Sequence, residues 1–136
     1  MILADTGFWL ALANQRDRHH ERAKRALARF REPLITTWPV LTEACHLMVS
    51  RLSPRSAELF IASGARGAFE VFPLHQSHLS RMTALMQKYR DLPMDLADAS
   101  LVIVAEDTGS GRVLSTDERD FRTYRWKNRK PFRNLL

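Results

Sequence analysis

Cysteine is almost missing from this chain: Cys45 is the single one in 136 residues. That excludes an internal disulfide framework and suits a reducing compartment. No apolar run approaches the roughly 20 residues of a membrane-spanning helix, and only Ile2, Leu3 and Ala4 separate Met1 from the first charge, Asp5. Neither an export signal nor a membrane anchor is expected, so the chain reads as soluble and cytoplasmic. His19 and His20 have no acidic or cysteine partner at ligand spacing, which leaves no sequence basis for a zinc site. A length of 136 residues allows one domain with a real core and is too short for two. Residues 1–136 are therefore read as a single domain.

What the chain has in excess is positive charge. Against 15 Asp and Glu stand 21 Lys and Arg, for a formal charge of +6 and a pI of about 10.2. Such a balance favours a polyanionic partner. The acids are distributed unevenly, and several fall in apolar surroundings where a solvated surface charge would not be placed.

Apolar runs and helical stripes alternate from end to end. Ile2-Leu3-Ala4 reads as a buried strand stopped by Asp5-Thr6-Gly7, with a helix over Phe8–Ala13 behind it. Residues 16–31 form a polar helix with Ala23, Ala26, Leu27 and Phe30 on one stripe and seven Arg or Lys elsewhere, a pattern that a solvated face explains. A second strand is expected at Pro33–Thr36, then a helix from Pro39 carrying Glu43 in its first turns. Ser53-Pro54 opens a further helix that Gly64 and Gly67 end. Phe69–Phe72 reads as a third strand, Ser77–Tyr89 as a helix, and Arg112–Thr116 as a fourth strand stopping at Asp117. Between the last two lies the stretch Leu92–Glu106, expected to be helical from Pro93 and apolar on nearly every side, with Asp95 and Asp98 three apart in its first turn. This alternation predicts a three-layer α/β domain around a mostly parallel sheet of four or five strands.

In such sheets ligands bind beyond the carboxyl ends of the strands. Asp5 follows the first strand and Asp117 the fourth, while Glu43 and the Asp95/Asp98 pair sit at helix starts facing the same edge. Four segments therefore deliver acids to one end of the sheet. Like charges so gathered repel, and a divalent cation resolves the conflict. The donors are hard oxygens without cysteine or histidine, so Mg²⁺ or Mn²⁺ fits better than Zn²⁺. A basic protein with an acidic, metal-binding pocket has the chemistry of phosphodiester hydrolysis.

Ile-Leu-Ala-Asp-Thr-Gly at the N-terminus, Thr42-Glu43, Asp95-Leu-Ala-Asp98-Ala and Leu114-Ser-Thr-Asp117 resemble the PIN domain, most closely the VapC-type toxins of type II toxin–antitoxin systems, over essentially the whole chain. The resemblance implies a metal-dependent endoribonuclease whose acidic quartet is Asp5, Glu43, Asp98 and Asp117, with Asp5 and Asp98 foremost as metal ligands. It further implies that Thr116 orients Asp117, that Thr6 supports the site through its hydroxyl, and that the protein has an RNA substrate, a small antitoxin partner and a homodimeric state. Gly7 stands where the family often has Ser or Asn. Asp95 is an additional acid, open to two readings: a further metal ligand or a helix cap.

Two other classes remain. A nucleic-acid-binding or RNA-processing protein that is not a toxin would share the fold. A haloacid-dehalogenase-type phosphatase would use Asp5 as nucleophile but expects a second Asp two residues on, where this chain has Gly7. Near the C-terminus, Arg122, Arg125, Lys127, Arg129 and Lys130 are interleaved with aromatics including Trp126. That composition suits either single-stranded RNA contact or a solvated terminal segment. His46, one turn after Glu43, is read as structural or as a phosphate contact.

Overall fold

The structure is a computed structural model describing residues 1–136. In chain order the elements are β1 (Ile2–Ala4), α1 (Thr6–Ala13), α2 (His20–Arg29), β2 (Leu34–Thr36), α3 (Trp38–Arg51), α4 (Pro54–Ala65), β3 (Glu70–Val71), α5 (Leu79–Lys88), α6 (Leu96–Thr108), β4 (Arg112–Leu114), α7 (Glu118–Thr123), β5 (Arg125–Trp126), β6 (Lys130–Pro131) and β7 (Arg133–Asn134). One 3₁₀ turn, Gln76–His78, leads into α5.

Five short strands form a sheet in the order β3-β2-β1-β4-β7, and every pair is parallel. The chain first winds outward from β1 to β2 to β3, then returns through α5 and α6 to β4 on the other side of β1. Because parallel crossovers are right-handed, that reversal places its helices on the opposite face of the sheet. It also makes the β1/β4 boundary a topological switch point, where a crevice opens beyond the strand ends. Leu3 pairs with Val113 and Ala4 with Leu114, so Asp5 and the residues after Leu114 leave the sheet side by side.

Strands β1 and β2 are buried throughout, as parallel strands covered on both faces must be, whereas the edge strands β3 and β7 are partly exposed. Ile2, Leu3, Leu34, Ile35, Val113 and Leu114 join one cluster of 34 buried apolar residues. The centre of that cluster is α6, whose Leu101, Val102 and Val104 are fully buried. A helix apolar all round can exist only where protein surrounds it. Gly109, at φ 71°, closes α6 in the left-handed conformation that a side chain would disfavour.

Two expectations need correction. Helix α6 begins at Leu96 and not at Pro93, because Asp95 is extended and its side chain accepts the Asp98 amide, setting the first turn three residues later than the proline. The chain after Asp117 is ordered structure: α7, a β5–β6 hairpin turning at Lys127 and Asn128 (φ 48° and 61°), and β7, the fifth strand of the sheet.

Candidate active site

Asp5 is the N-cap of α1, and its burial follows from its place at the end of an interior strand. Its Oδ1 accepts the Thr6 amide at 2.7 Å and its Oδ2 accepts the Ser115 hydroxyl at 2.8 Å. Burial pushes the Asp5 pKa up to about 6, opposed by those two hydrogen bonds and reinforced by the charges of Asp95 and Asp117. Asp98, in the first turn of α6, takes a 2.8 Å hydrogen bond from the Tyr124 hydroxyl on Oδ2. Its carboxyl is pushed well up, first by desolvation, then by Asp5 and Asp95, with the Tyr124 bond pulling the other way. The phenol of Tyr124 is in turn pushed up by burial and by the Asp98 charge.

Glu43 projects from α3 toward the same point. Its pKa is raised by desolvation, by the Asp95 charge and by a hydrogen bond shared with Asp95, and Asp5 adds to the effect. Asp95 and Asp117 are exposed and serve as N-caps, Asp95 holding the Asp98 amide at 2.8 Å and Asp117 the Asp120 amide at 3.2 Å. The expected acids from four segments thus meet at the β1/β4 switch point, close enough to raise one another's proton affinity.

None of these five carboxylates forms an ion pair, although Glu32, Glu106, Glu118 and Asp120 all find a basic partner. Asp17, Glu70, Asp91 and Asp107 also lack an ion pair, so what sets the site apart is that its unpaired carboxylates come from four segments and lie close enough to act on one another. Side chains of both signs are available, and the site has been left with one sign only. The donors are all carboxylate oxygens, which suits a hard divalent cation. As they stand, no three side chains close a ready-made cage. The cause is visible in the hydrogen bonds: Asp5 is held by Thr6 and Ser115, Asp98 by Tyr124, and Asp95 and Asp117 by the helices they cap.

Several supporting residues differ from expectation. Thr6 supports Asp5 through its backbone amide, while its hydroxyl oxygen is buried without a partner. Ser115, and not Thr116, reaches Asp117: the Ser115 hydroxyl accepts the Asp117 amide at 3.0 Å while donating to Asp5, so one side chain ties β1 to β4. Asn134 of β7 pins that serine, its amide oxygen accepting the Ser115 N–H at 3.2 Å and its amide nitrogen donating to the Ser115 carbonyl at 2.9 Å. Thr116 instead fills the space beside Gly7, where a Cβ would fall 1.9 Å from its Oγ1. Close approach explains why glycine occupies that position. Asp120 is a further acid near Asp117 and Asp98, its pKa raised by burial and by Asp117. Ser115 lies within the Leu114-Ser-Thr-Asp117 motif without being singled out there, and Tyr124, Asp120 and Asn134 belong to no motif. Only the pairing of strand ends reveals them.

The basic terminal segment divides. Trp126 does not offer an open stacking face: it is 7% exposed, its indole N–H donates to the Pro131 carbonyl at 3.1 Å, and the Lys130 ammonium lies 4.8 Å above its ring. The Arg125 guanidinium is spent on the Arg122, Thr123 and Tyr124 carbonyls at the end of α7. Arg122, Lys127, Arg129 and Lys130 remain exposed. His46 is exposed on α3, on the rim of the groove that Glu43 and Asp95 line.

A parallel α/β domain with clustered carboxylates at the switch point beside its first strand has the architecture of a nuclease-like domain. The sequence model of the PIN domain matches residues 2–127, and the chain belongs to the PIN domain family. It is similar to the ribonuclease VapC26 of Mycobacterium tuberculosis (strain ATCC 25618 / H37Rv), at 22% identity over 124 residues covering 91% of this chain and 92% of that protein. In fold it is similar to the crystal structure of the Mycobacterium tuberculosis toxin VapC20, which cleaves the sarcin–ricin loop. The TM-score is 0.81 and the identity 24%, over 88% of this chain and 92% of that one.

Proposed function

We propose that this protein is a divalent-metal-dependent endoribonuclease and the toxin of a toxin–antitoxin pair. The observation that carries the reading is the set of carboxylates without a basic partner at the switch point of a positively charged chain. PIN-domain ribonucleases generally use divalent metals. Here Asp5 and Asp98 would hold Mg²⁺ or Mn²⁺, with Glu43, Asp117 and Asp95 completing the negative surroundings. When bound, such an ion polarises a phosphoryl oxygen and lowers the pKa of a coordinated water.

The chain's own residues do the rest. Ser115 and Tyr124 each hold one carboxylate oxygen, of Asp5 and Asp98 respectively, which limits how far the two side chains turn. The Glu43 carboxyl is pushed up by burial and by the Asp95 charge, and its Oε atoms can accept the proton of the attacking water once it is ionised. Exposed Arg122, Lys127, Arg129 and Lys130 attract the RNA backbone by long-range field. A groove of about 360 Å³ among α1, α2 and α4, lined by Trp9, Leu12, Leu27, Leu59 and Phe60, gives an apolar segment of a small antitoxin a place to bind. The similarity to VapC26 and VapC20 supports the toxin reading, and the homodimer is what the resemblance to VapC-type toxins implies.

The test is cleavage of a labelled single-stranded RNA with Mg²⁺ or Mn²⁺, stopped by EDTA and restored by excess metal. RNA bound but left intact in every metal would replace this reading with a binding module that lacks activity.

A further inference from the structure

Of the three tryptophans, Trp9 and Trp126 are buried at 5% and 7%, whereas Trp38 is 62% exposed. An exposed indole is a large apolar surface left in water, and here exposed Leu96 beside it extends the patch. Trp38 is the first residue of α3, and the buried face of that helix is Val40, Leu41, Ala44 and Met48, so the indole lies on the opposite side. Its support is stiff. Thr37 caps the helix and its hydroxyl is 2.6 Å from that of Ser100 in α6, Pro39 follows, and the Trp38 carbonyl accepts the Thr42 hydroxyl at 2.9 Å.

Trp38 faces a groove of about 570 Å³ with two kinds of wall. One wall is Trp38, Pro39 and Leu96, the last 47% exposed; the other is Glu43 and Asp95, the outer edge of the carboxylate site, with His46 on the rim. The volume lies within the roughly 300–1,000 Å³ range of small-ligand sites. A flat π-face beside the carboxylate site matches a nucleotide, whose base can stack while its phosphate meets the cation that the acids would hold.

We propose that Trp38 is the stacking platform for one unpaired base next to the scissile phosphate, so that the enzyme takes RNA whose base there is splayed out of a helix. This rests on the ribonuclease reading and adds to it a specificity-determining residue, the indole that receives the splayed base. A stacked base need not be of one identity, because every base has a π-face. Selectivity is then for unpaired geometry.

The experiment uses the whole chain with Asp98→Asn to prevent cleavage, and a fluorescein-labelled single-stranded oligoribonucleotide as probe. Binding should quench tryptophan fluorescence and protect it from acrylamide, and Trp38→Ala should abolish both effects. The same change should weaken binding roughly 5- to 150-fold, with Trp38→Phe restoring most of it. Replacing successive nucleotides by abasic ones should reveal one position at which the loss in the parent equals the loss from Trp38→Ala, and at which the two losses do not add. With Asp98 restored, Trp38→Ala should raise KM while kcat at saturating RNA changes little. Equal binding by parent and Trp38→Ala would overturn the platform, and so would a drop in sedimentation mass in Trp38→Ala, which would assign the indole to contact with a second copy. If the parent binds and is quenched but cuts nothing, the platform stands and the ribonuclease reading fails; if it cuts with an unchanged KM in Trp38→Ala, the reverse holds.

Discussion

At the scale of single residues, charge and shape can be separated by substitution. Asp5→Asn and Asp98→Asn keep the side-chain outline and the hydrogen-bond capacity toward Ser115 or Tyr124 but lose the charge that a cation requires. Each should lower the cleavage rate by about two orders of magnitude or more, with the circular dichroism spectrum unchanged. Near-parental activity in a folded variant would remove that residue from the metal set. Gly7 permits a sharper measurement. Gly7→Ala would place a methyl group against Thr116, and overpacking of this kind costs about 1–3 kcal/mol. Adding Thr116→Ala should return that loss, since the space is then free and alanine favours the helix by up to about 1 kcal/mol over glycine. Denaturant titrations of the four proteins of that cycle read the coupling directly, and additive losses would show that Thr116 is not what excludes the side chain.

At the scale of elements, Asp95 is at once a helix cap and a charge in the site. Asp95→Ala removes the cap of α6 and should cost about 1 kcal/mol, whereas asparagine caps as well as aspartate and should leave stability nearly unchanged. Equal destabilisation by both, followed by thermal melts, would show that its charge and not its cap matters to the fold. This double duty also marks how far the chain could be read in one dimension. Strand-then-acid junctions at Asp5 and Asp117, and the apolar run of α6, announce themselves because buried parallel strands and buried helices leave unbroken apolar segments. The last strand does not. Arg133–Asn134 is polar and two residues long, and its value lies in backbone pairing with β4 and in Asn134 clamping Ser115. Likewise the aromatics among the terminal cations look like stacking surfaces in sequence, yet Phe121, Tyr124 and Trp126 are core residues and only the cations between them reach solvent. Composition could not tell the two apart, because alternation of cation and aromatic is also what an edge hairpin and a short helix on a core produce. Ser115 and Tyr124 escaped for the same reason: a hydroxyl acquires meaning only when another strand or helix brings a carboxylate within 2.8 Å.

For the whole molecule, the gathered carboxylates make stability depend on pH and metal together. Asp5, Glu43 and Asp98 are raised to about 6, about 7 and about 8, in each case chiefly by burial. A carboxyl with a raised pKa in the folded state holds its proton more tightly there than in the unfolded chain, where it would titrate near 4. Its contribution is therefore fully present below about pH 4 and is lost as the pH climbs through the folded values. In EDTA, the melting temperature should fall between about pH 5 and pH 8. Other groups titrate in that range, so the comparison of parent with Asp98→Asn isolates the site: the variant lacks one of the repelling charges and should gain on the parent as the pH rises. Millimolar Mn²⁺ replaces protons as the neutralising charge, and it binds best when they have left. It should therefore raise the parental melting temperature more at pH 8 than at pH 5, and raise that of Asp98→Asn less at either pH. Scanning calorimetry at the two pH values, with and without metal, yields all the differences. A parental stability that climbs toward pH 8 in EDTA relative to Asp98→Asn would mean that these carboxylates do not repel in the folded protein, and the case for a cation among them would go with it.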